Sequence, residues 1–328
     1  MGEVIPIPVR EPSRCTATTR SGARCRNRAV DESGLCRVHG GGQRAAAVAP
    51  EAPSTERLDE LLAFLRRRVT GDYEIDEFGF DRDLTETVLA PLARFFHERY
   101  FRVEWKGLEH VPREGPALLV SNHAGTIPMD AVIMKFGLLD RVGRHVRLLA
   151  ANLAFRMPFV GELARKSGNT LACEEDALRL LDRGELLGVF PEGYKGVGKP
   201  FRERYKLQRF GRGGFIELAL RAGAPIVPAA IVGSEEIYPL ISQARPLARM
   251  FGLPYFPVTP FFPWLGPLGM LPLPTKWTIE FREPIATDGM GDEAWKDSLL
   301  VFEMTDRVRD EIQQTLNRNL GSRRSLFF

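Results

Sequence analysis

The stretch Pro116-Ala-Leu-Leu-Val-Ser-Asn-His123 decides how this chain is read. Its apolar run is short, unbroken and closed by polar residues, as in a strand buried on both faces. Just beyond it, Pro128-Met-Asp130 opens a segment of helical spacing. Proline is tolerated where a helix begins, and a carboxylate is favoured in the first turn. His123 therefore stands at a strand-to-helix turn, with six residues between it and Asp130. Such a carboxylate can fix which ring nitrogen carries the hydrogen, leaving the other to take a proton from an alcohol. An isolated histidine is more commonly structural, so the pair needs support from elsewhere in the chain.

Working outward, apolar runs predict strands near 101–105, 117–120, 146–150, 186–190, 226–232 and 277–281. Helical spacing between them predicts helices near 128–136, 174–181 and 214–221. Strands alternating with helices indicate an α/β fold, a largely parallel twisted sheet flanked by helices. Two helical segments precede it, 56–69 (Leu58, Leu61, Leu62, Leu65) and 84–100, and a helix with a charged face is expected over 293–319. A length of 328 residues, 44% hydrophobic and 27% charged, suits one large core with small additions. Residues 41–54, small and proline-containing, read as a linker between a Cys- and Arg-rich segment, 1–40, and one folded unit, 55–328, with its core at 101–285.

Support for the His123–Asp130 pair comes from Phe190-Pro-Glu-Gly-Tyr-Lys195, which follows another strand. Together the two motifs resemble those of the glycerolipid and lysophospholipid acyltransferase family, lysophosphatidate acyltransferases among them. That family's first block usually places four residues between His and Asp. The six found here resemble a subgroup that includes predicted neutral-lipid acyltransferases. In the later block Lys195 stands where the family usually has Arg, a point charge in place of a planar fork.

The resemblance implies a glycerol-phosphate-acyltransferase-like fold and transfer of a fatty acyl group from acyl-CoA or acyl-carrier protein to a glycerolipid hydroxyl. The expected acceptor is 1-acyl-glycerol-3-phosphate; a neutral mono- or diacylglycerol or another lipid alcohol is the alternative. A catalytically inactive lipid- or nucleic-acid-binding protein is the second. His123 would be the general base and Asp130 its orienter. Asn122, Glu192, Gly193 and Lys195 would bind substrate, and so would Arg165 or Lys166 in a weakly matching block at Phe159–Gly168. Ala224–Val232 matches a block that lines the acyl pocket or serves as a core strand. No cofactor for the chemistry is implied.

The net charge of +3 says little about partners, but its distribution is uneven. From Tyr194 to Gly214 the chain carries Lys195, Lys199, Arg202, Arg204, Lys206, Arg209 and Arg212 against the single acid Glu203, a pattern that seeks phosphates, whether on lipid, coenzyme A or nucleic acid. Nucleic acid is not the expected partner. Residues 250–275 carry no charge and seven prolines, with Arg245, Arg249 and Lys276 flanking. They read either as a Pro-rich loop packed on the core or as a segment that touches the membrane surface, proline opposing a spanning helix. The expected location is the cytoplasmic face of a membrane, held peripherally: residues 1–14 lack a signal peptide's apolar core, and Pro6 spoils a myristoylation motif at Gly2.

Cys15, Cys25, Cys36 and His39 form a set suited to a closed structural Zn²⁺ site, and the pattern around them resembles small zinc-knuckle-like modules; unligated thiols in a disordered tail are the alternative. Cys173 reads as a lone structural thiol, and His97, His110 and His145 as structural or surface residues.

Overall fold

A computed structural model of the chain describes residue 24 and residues 55–123, 127–157, 159–253, 255–291 and 293–327. The expected zinc ligands, Cys15, Cys25, Cys36 and His39, and the linker 41–54 lie outside the described residues. The chain divides into two compact units, Met1–Glu60 and Leu61–Phe328. A helix covers Thr55–Thr70.

The second unit is organised by one sheet. Its strands are β1 (Glu104–Lys106), β2 (Ala117–Ser121), β3 (Val146–Ala150), β4 (Thr170–Leu171), β5 (Leu186–Val189), β6 (Ile226–Val232) and β9 (Thr278–Phe281), in the order β1-β9-β6-β2-β5-β3-β4. All neighbours run parallel except β6 and β9. The expected largely parallel sheet flanked by helices is present. The direction of β9, which lies between β1 and β6 and runs antiparallel to β6, was not visible in the apolar run that encodes it.

The unbroken run 117–121 behaves as its composition demands: every residue of β2 is buried. Leu118 and Val120 face a core shared with the helices Glu174–Asp182, Gly214–Ala222 and Ser298–Ser322. Ala117 and Leu119 face a second core with Ile133, Met134 and Leu138 of the helix Met129–Val142 and with Trp277. Each buried Leu or Val contributes about 1.5–3 kcal/mol of burial free energy, so a central strand apolar on both faces pins both layers.

Boundaries shift where capping overrides periodicity. The last long helix starts at Ser298 because Asp297 accepts from the N–H groups of Leu299 (2.9 Å) and Leu300 (3.2 Å). Residues Ala294–Lys296 before it form a separate 3-10 turn. The first predicted strand retreats to Glu104 because Phe101 closes the helical run 82–100 and stacks on Trp277, ring centroids 4.4 Å apart.

The described residues of 250–275 form no long helix and are tied in part to the core: Thr259 and Thr275 are buried, and the Tyr238 hydroxyl donates to the Met270 carbonyl (2.7 Å). A short β8 (Pro257–Val258) pairs antiparallel with β7 (Ser242–Gln243), and a 3-10 turn covers Gly266–Met270. Trp264 (74% exposed) and Leu268 (69%) face outward, as do Met250, Phe251 and Leu271. Among the described residues no helix is long and apolar enough to cross a membrane.

Candidate active site

β2 and β5 lie side by side and parallel, with Val120 opposite Val189. Both chains therefore leave the sheet at the same edge, and the turns Asn122-His123 and Phe190-Pro-Glu-Gly193 emerge together. Carboxyl ends of parallel strands are where open α/β sheets build their sites.

The helix predicted from Pro128 begins at Met129, with Pro128 at its cap position. Asp130 thus falls in the first turn, fully buried, where the helix dipole favours its charge. One of its oxygens lies 2.9 Å from His123 Nδ1, and the other accepts from the Ala131 N–H at 2.8 Å. The His123 ring packs against Phe190, centroids 4.5 Å apart, and keeps 14% of its side chain exposed. A neutral ring that donates from Nδ1 to Asp130 holds Nε2 as an acceptor.

Glu192 is bonded within the protein. It is buried, and both oxygens are committed: Oε1 accepts from the His123 N–H (2.9 Å), Oε2 from the Gln208 N–H (2.7 Å). Lys199 Nζ stands 3.4 Å from Oε2 and 3.1 Å from Glu235 Oε1. Glu192 therefore ties the histidine turn to its surroundings. Asn122 is also a staple, since its buried side chain exchanges hydrogen bonds with the Ile231 N–H (2.8 Å) and C=O (3.0 Å) of β6. Burial within a parallel sheet leaves such groups no water, so the backbone supplies their partners.

Gly193 adopts φ 53°, ψ −139°, a conformation that favours glycine. Lys195, on the following short helix Tyr194–Val197, is exposed. Arg165 and Lys166 are not brought to the pair by any hydrogen bond or ion pair among the described residues. Arg165 lies over the Phe155 ring (5.0 Å), and Lys166 pairs with Glu162 (2.7 Å). The three remaining histidines described do have partners: Asp140 for His97, the Phe281 carbonyl for His110 and Glu86 for His145. Among the described residues no group of three or more His, Cys, Asp or Glu is placed to hold a metal ion.

Three residues that the motif reading passed over complete the site. A Cβ on Gly196 would lie 2.7 Å from the His123 carbonyl oxygen and 2.8 Å from Glu192 Cβ, so only glycine lets the two turns approach. Gly196→Ala is expected to cost about 1–3 kcal/mol and to lower turnover through displacement of His123. Urea unfolding together with an activity assay checks this, and an unchanged kcat would count against it. The other two are Lys199 and Glu235. For Glu235 the available signal was an acidic pair, Glu235-Glu236, with two residues between it and a core strand.

Burial pushes the Glu235 carboxyl up to about 7, with the charge of Glu192 adding to the push and Lys199 opposing it. A carboxyl that binds its proton more tightly in the folded chain stabilises fully below its unfolded value, and this is lost as pH rises through about 7. Glu235→Gln stays neutral at every pH. Its stability relative to wild type should improve between pH 5 and pH 8 by on the order of 3 kcal/mol. Parallel stability curves for the two proteins would rule this out.

A family model described as Acyltransferase matches residues 102–232, from just before β1 to the end of β6, and so includes both turns. The Mycobacterium tuberculosis "Uncharacterized protein Rv0502" is 54% identical over 270 residues, 82% of this chain and 75% of that protein. A Bos taurus protein named "DGAT1/2-independent enzyme synthesizing storage lipids" is 23% identical over 216 residues, 66% of this chain and 59% of its own. Among solved structures, the 1-acyl-sn-glycerophosphate acyltransferase PlsC from Thermotoga maritima aligns with a TM-score of 0.48 and 18% identity, over 84% of this chain and 100% of that chain. The chain thus shares a family with its mycobacterial relative, and its residues 102–232 carry the match to the acyltransferase family model.

Proposed function

We propose that this acyltransferase moves a fatty acyl group from a thioester, acyl-CoA or acyl-carrier protein, to the hydroxyl of a glycerolipid, with 1-acyl-glycerol-3-phosphate as the first acceptor to test. The observation that carries the reading is the 2.9 Å contact of His123 Nδ1 with buried Asp130 at the end of β2, beside the Phe190–Gly193 turn. His123 Nε2 takes the proton of the acceptor hydroxyl as its oxygen bonds to the thioester carbonyl carbon. The tetrahedral intermediate collapses with cleavage of the C–S bond, and the leaving thiolate recovers the proton from the imidazolium. No serine nucleophile is needed, because the thioester is already activated. Lys195, exposed beside the site, is the cation proposed to meet an acceptor phosphate.

A second reading, a neutral acceptor such as mono- or diacylglycerol, is favoured by one specific feature. Lys199 is paired internally and Arg165 and Lys166 are engaged elsewhere, which leaves few cations to hold a phosphate at the turn. The name of the Bos taurus relative points the same way. The exposed apolar side chains of 250–275, Trp264 and Leu268 above all, are proposed to rest in a membrane interface, with Arg245 and Arg249 near lipid headgroups.

The test is thiol release from palmitoyl-CoA by the full chain, presented in vesicles with lysophosphatidate, monoacylglycerol or diacylglycerol. Release that requires lysophosphatidate supports the first reading, and release with neutral acceptors alone supports the second. No release with any acceptor, despite vesicle binding, would reject transfer and leave the inactive lipid-binding reading.

A further inference from the structure

The basic segment 194–214 is only partly accounted for by the site. Lys199 is internal to it, whereas Arg209 and Arg212 lie on the rim of a separate cavity of about 460 Å³ between the 209–213 loop and the helix Ser298–Ser322. Phe210 and Phe302 line the same cavity, and so do Arg309 and the single carboxylate Asp306. Arg209 and Arg212 are exposed and form no ion pair among the described residues. Ligand sites for small organic molecules have volumes of about 300–1,000 Å³, so the space suits a nucleotide better than an ion.

The chain on either side of the loop is anchored to the helix. Gln313 accepts from the Leu207 N–H (3.0 Å) and donates to the Tyr205 carbonyl (2.8 Å). A Cβ on Gly213 would lie 2.5 Å from Val301 and 2.9 Å from Thr305, so glycine is what seats the loop on the helix. The cavity is also tied to the chemistry. Arg209 directly follows Gln208, whose N–H is bonded to Glu192, and Glu192 in turn holds the His123 N–H.

We infer that this cavity receives the phosphorylated adenosine end of coenzyme A, so that the acyl-pantetheine arm is presented at His123. Arg209, Arg212 and Arg309 meet phosphate oxygens, Phe302 offers an apolar face to the base, and Asp306 accepts from a ribose hydroxyl or the base amino group. A phosphate alone would leave the aromatic walls unused. An acidic carrier-protein surface is convex and would not enter. The inference rests on the thioester-donor reading above, but free coenzyme A tests it without turnover.

Titration calorimetry with the full chain provides the measurement, with coenzyme A, 4′-phosphopantetheine and pyrophosphate as probes. For R209A/R212A the Kd for coenzyme A should rise about tenfold or more, the loss of one or two charge-assisted contacts, and 4′-phosphopantetheine binding should change little. F302A, on the other wall, should weaken coenzyme A and leave pyrophosphate unaffected. Wild-type protein that fails to bind coenzyme A, or variants that bind it unchanged, would overturn the assignment. So would pyrophosphate binding as tightly as coenzyme A. Arginine-dependent binding without acyl transfer would retain the cavity and discard the function. Transfer with an unaltered KM for acyl-CoA in the variants would do the reverse.

Discussion

Replacing His123 with alanine is expected to lower acyl transfer by about 10²–10⁴-fold, the usual contribution of a positioned general base. The fold should survive. The ring is partly exposed, and Asp130 retains the Ala131 N–H and a helix N-terminus when the imidazole is gone. Loss of the hydrogen bond to a buried carboxylate should cost about 1–3 kcal/mol, a modest fall in Tm. D130N provides the companion measurement. It keeps the shape but can donate to Nδ1, which favours the tautomer with the hydrogen on Nε2 and removes the acceptor. Single-turnover thiol release separates these cases. If H123A is folded and keeps its kcat/KM, the base lies elsewhere.

Glu192→Ala should act mainly on the protein and only through it on the chemistry. It strands the N–H groups of His123 and Gln208 and leaves buried Lys199 with Glu235 alone. Breaking a buried ion pair from one side costs about 3–5 kcal/mol. Activity should then fall through kcat, because the turn that carries His123 loses its anchor. The motif resemblance makes a different prediction for the same variant. A glutamate that binds the acceptor hydroxyl would raise KM for the acceptor and leave stability nearly unchanged. Denaturant unfolding and acceptor-dependent kinetics on one preparation decide between them. An unchanged unfolding midpoint with a raised KM would restore Glu192 to the acceptor.

The extent to which the site was legible follows the range of its interactions. His123 and Asp130 are joined across six residues by a turn and a helix start, and both signals, an apolar run and a proline before an acid, are local. Gly193 was legible for a similar reason, since its backbone angles are those of a tight turn after a strand. Asn122 and Glu192 sit within the same motifs, but their internal partners could not be read there. Their bonds run to Ile231 and Gln208, on other parts of the chain, and a motif carries no record of those. Lys199 shows the limit most plainly, since in a string of seven cations nothing marks the one that is buried. Arg209 and Arg212 stand out in the sequence only as part of a basic run, because the wall opposite them belongs to a helix about ninety residues further on.

By itself, then, the sequence determined the alternation of strands and helices, the two-sided burial of β2 and the pairing of an imidazole with a nearby acid. Each of these depends on periodicity, or on contacts within a turn or two. Only the tertiary structure decided which glutamate oxygens are already bonded, which lysine is internal, which arginines line a cavity and that β9 runs antiparallel. Those outcomes depend on strand register and on loss of water between segments far apart in the chain, and neither quantity is a property of the residues taken in order.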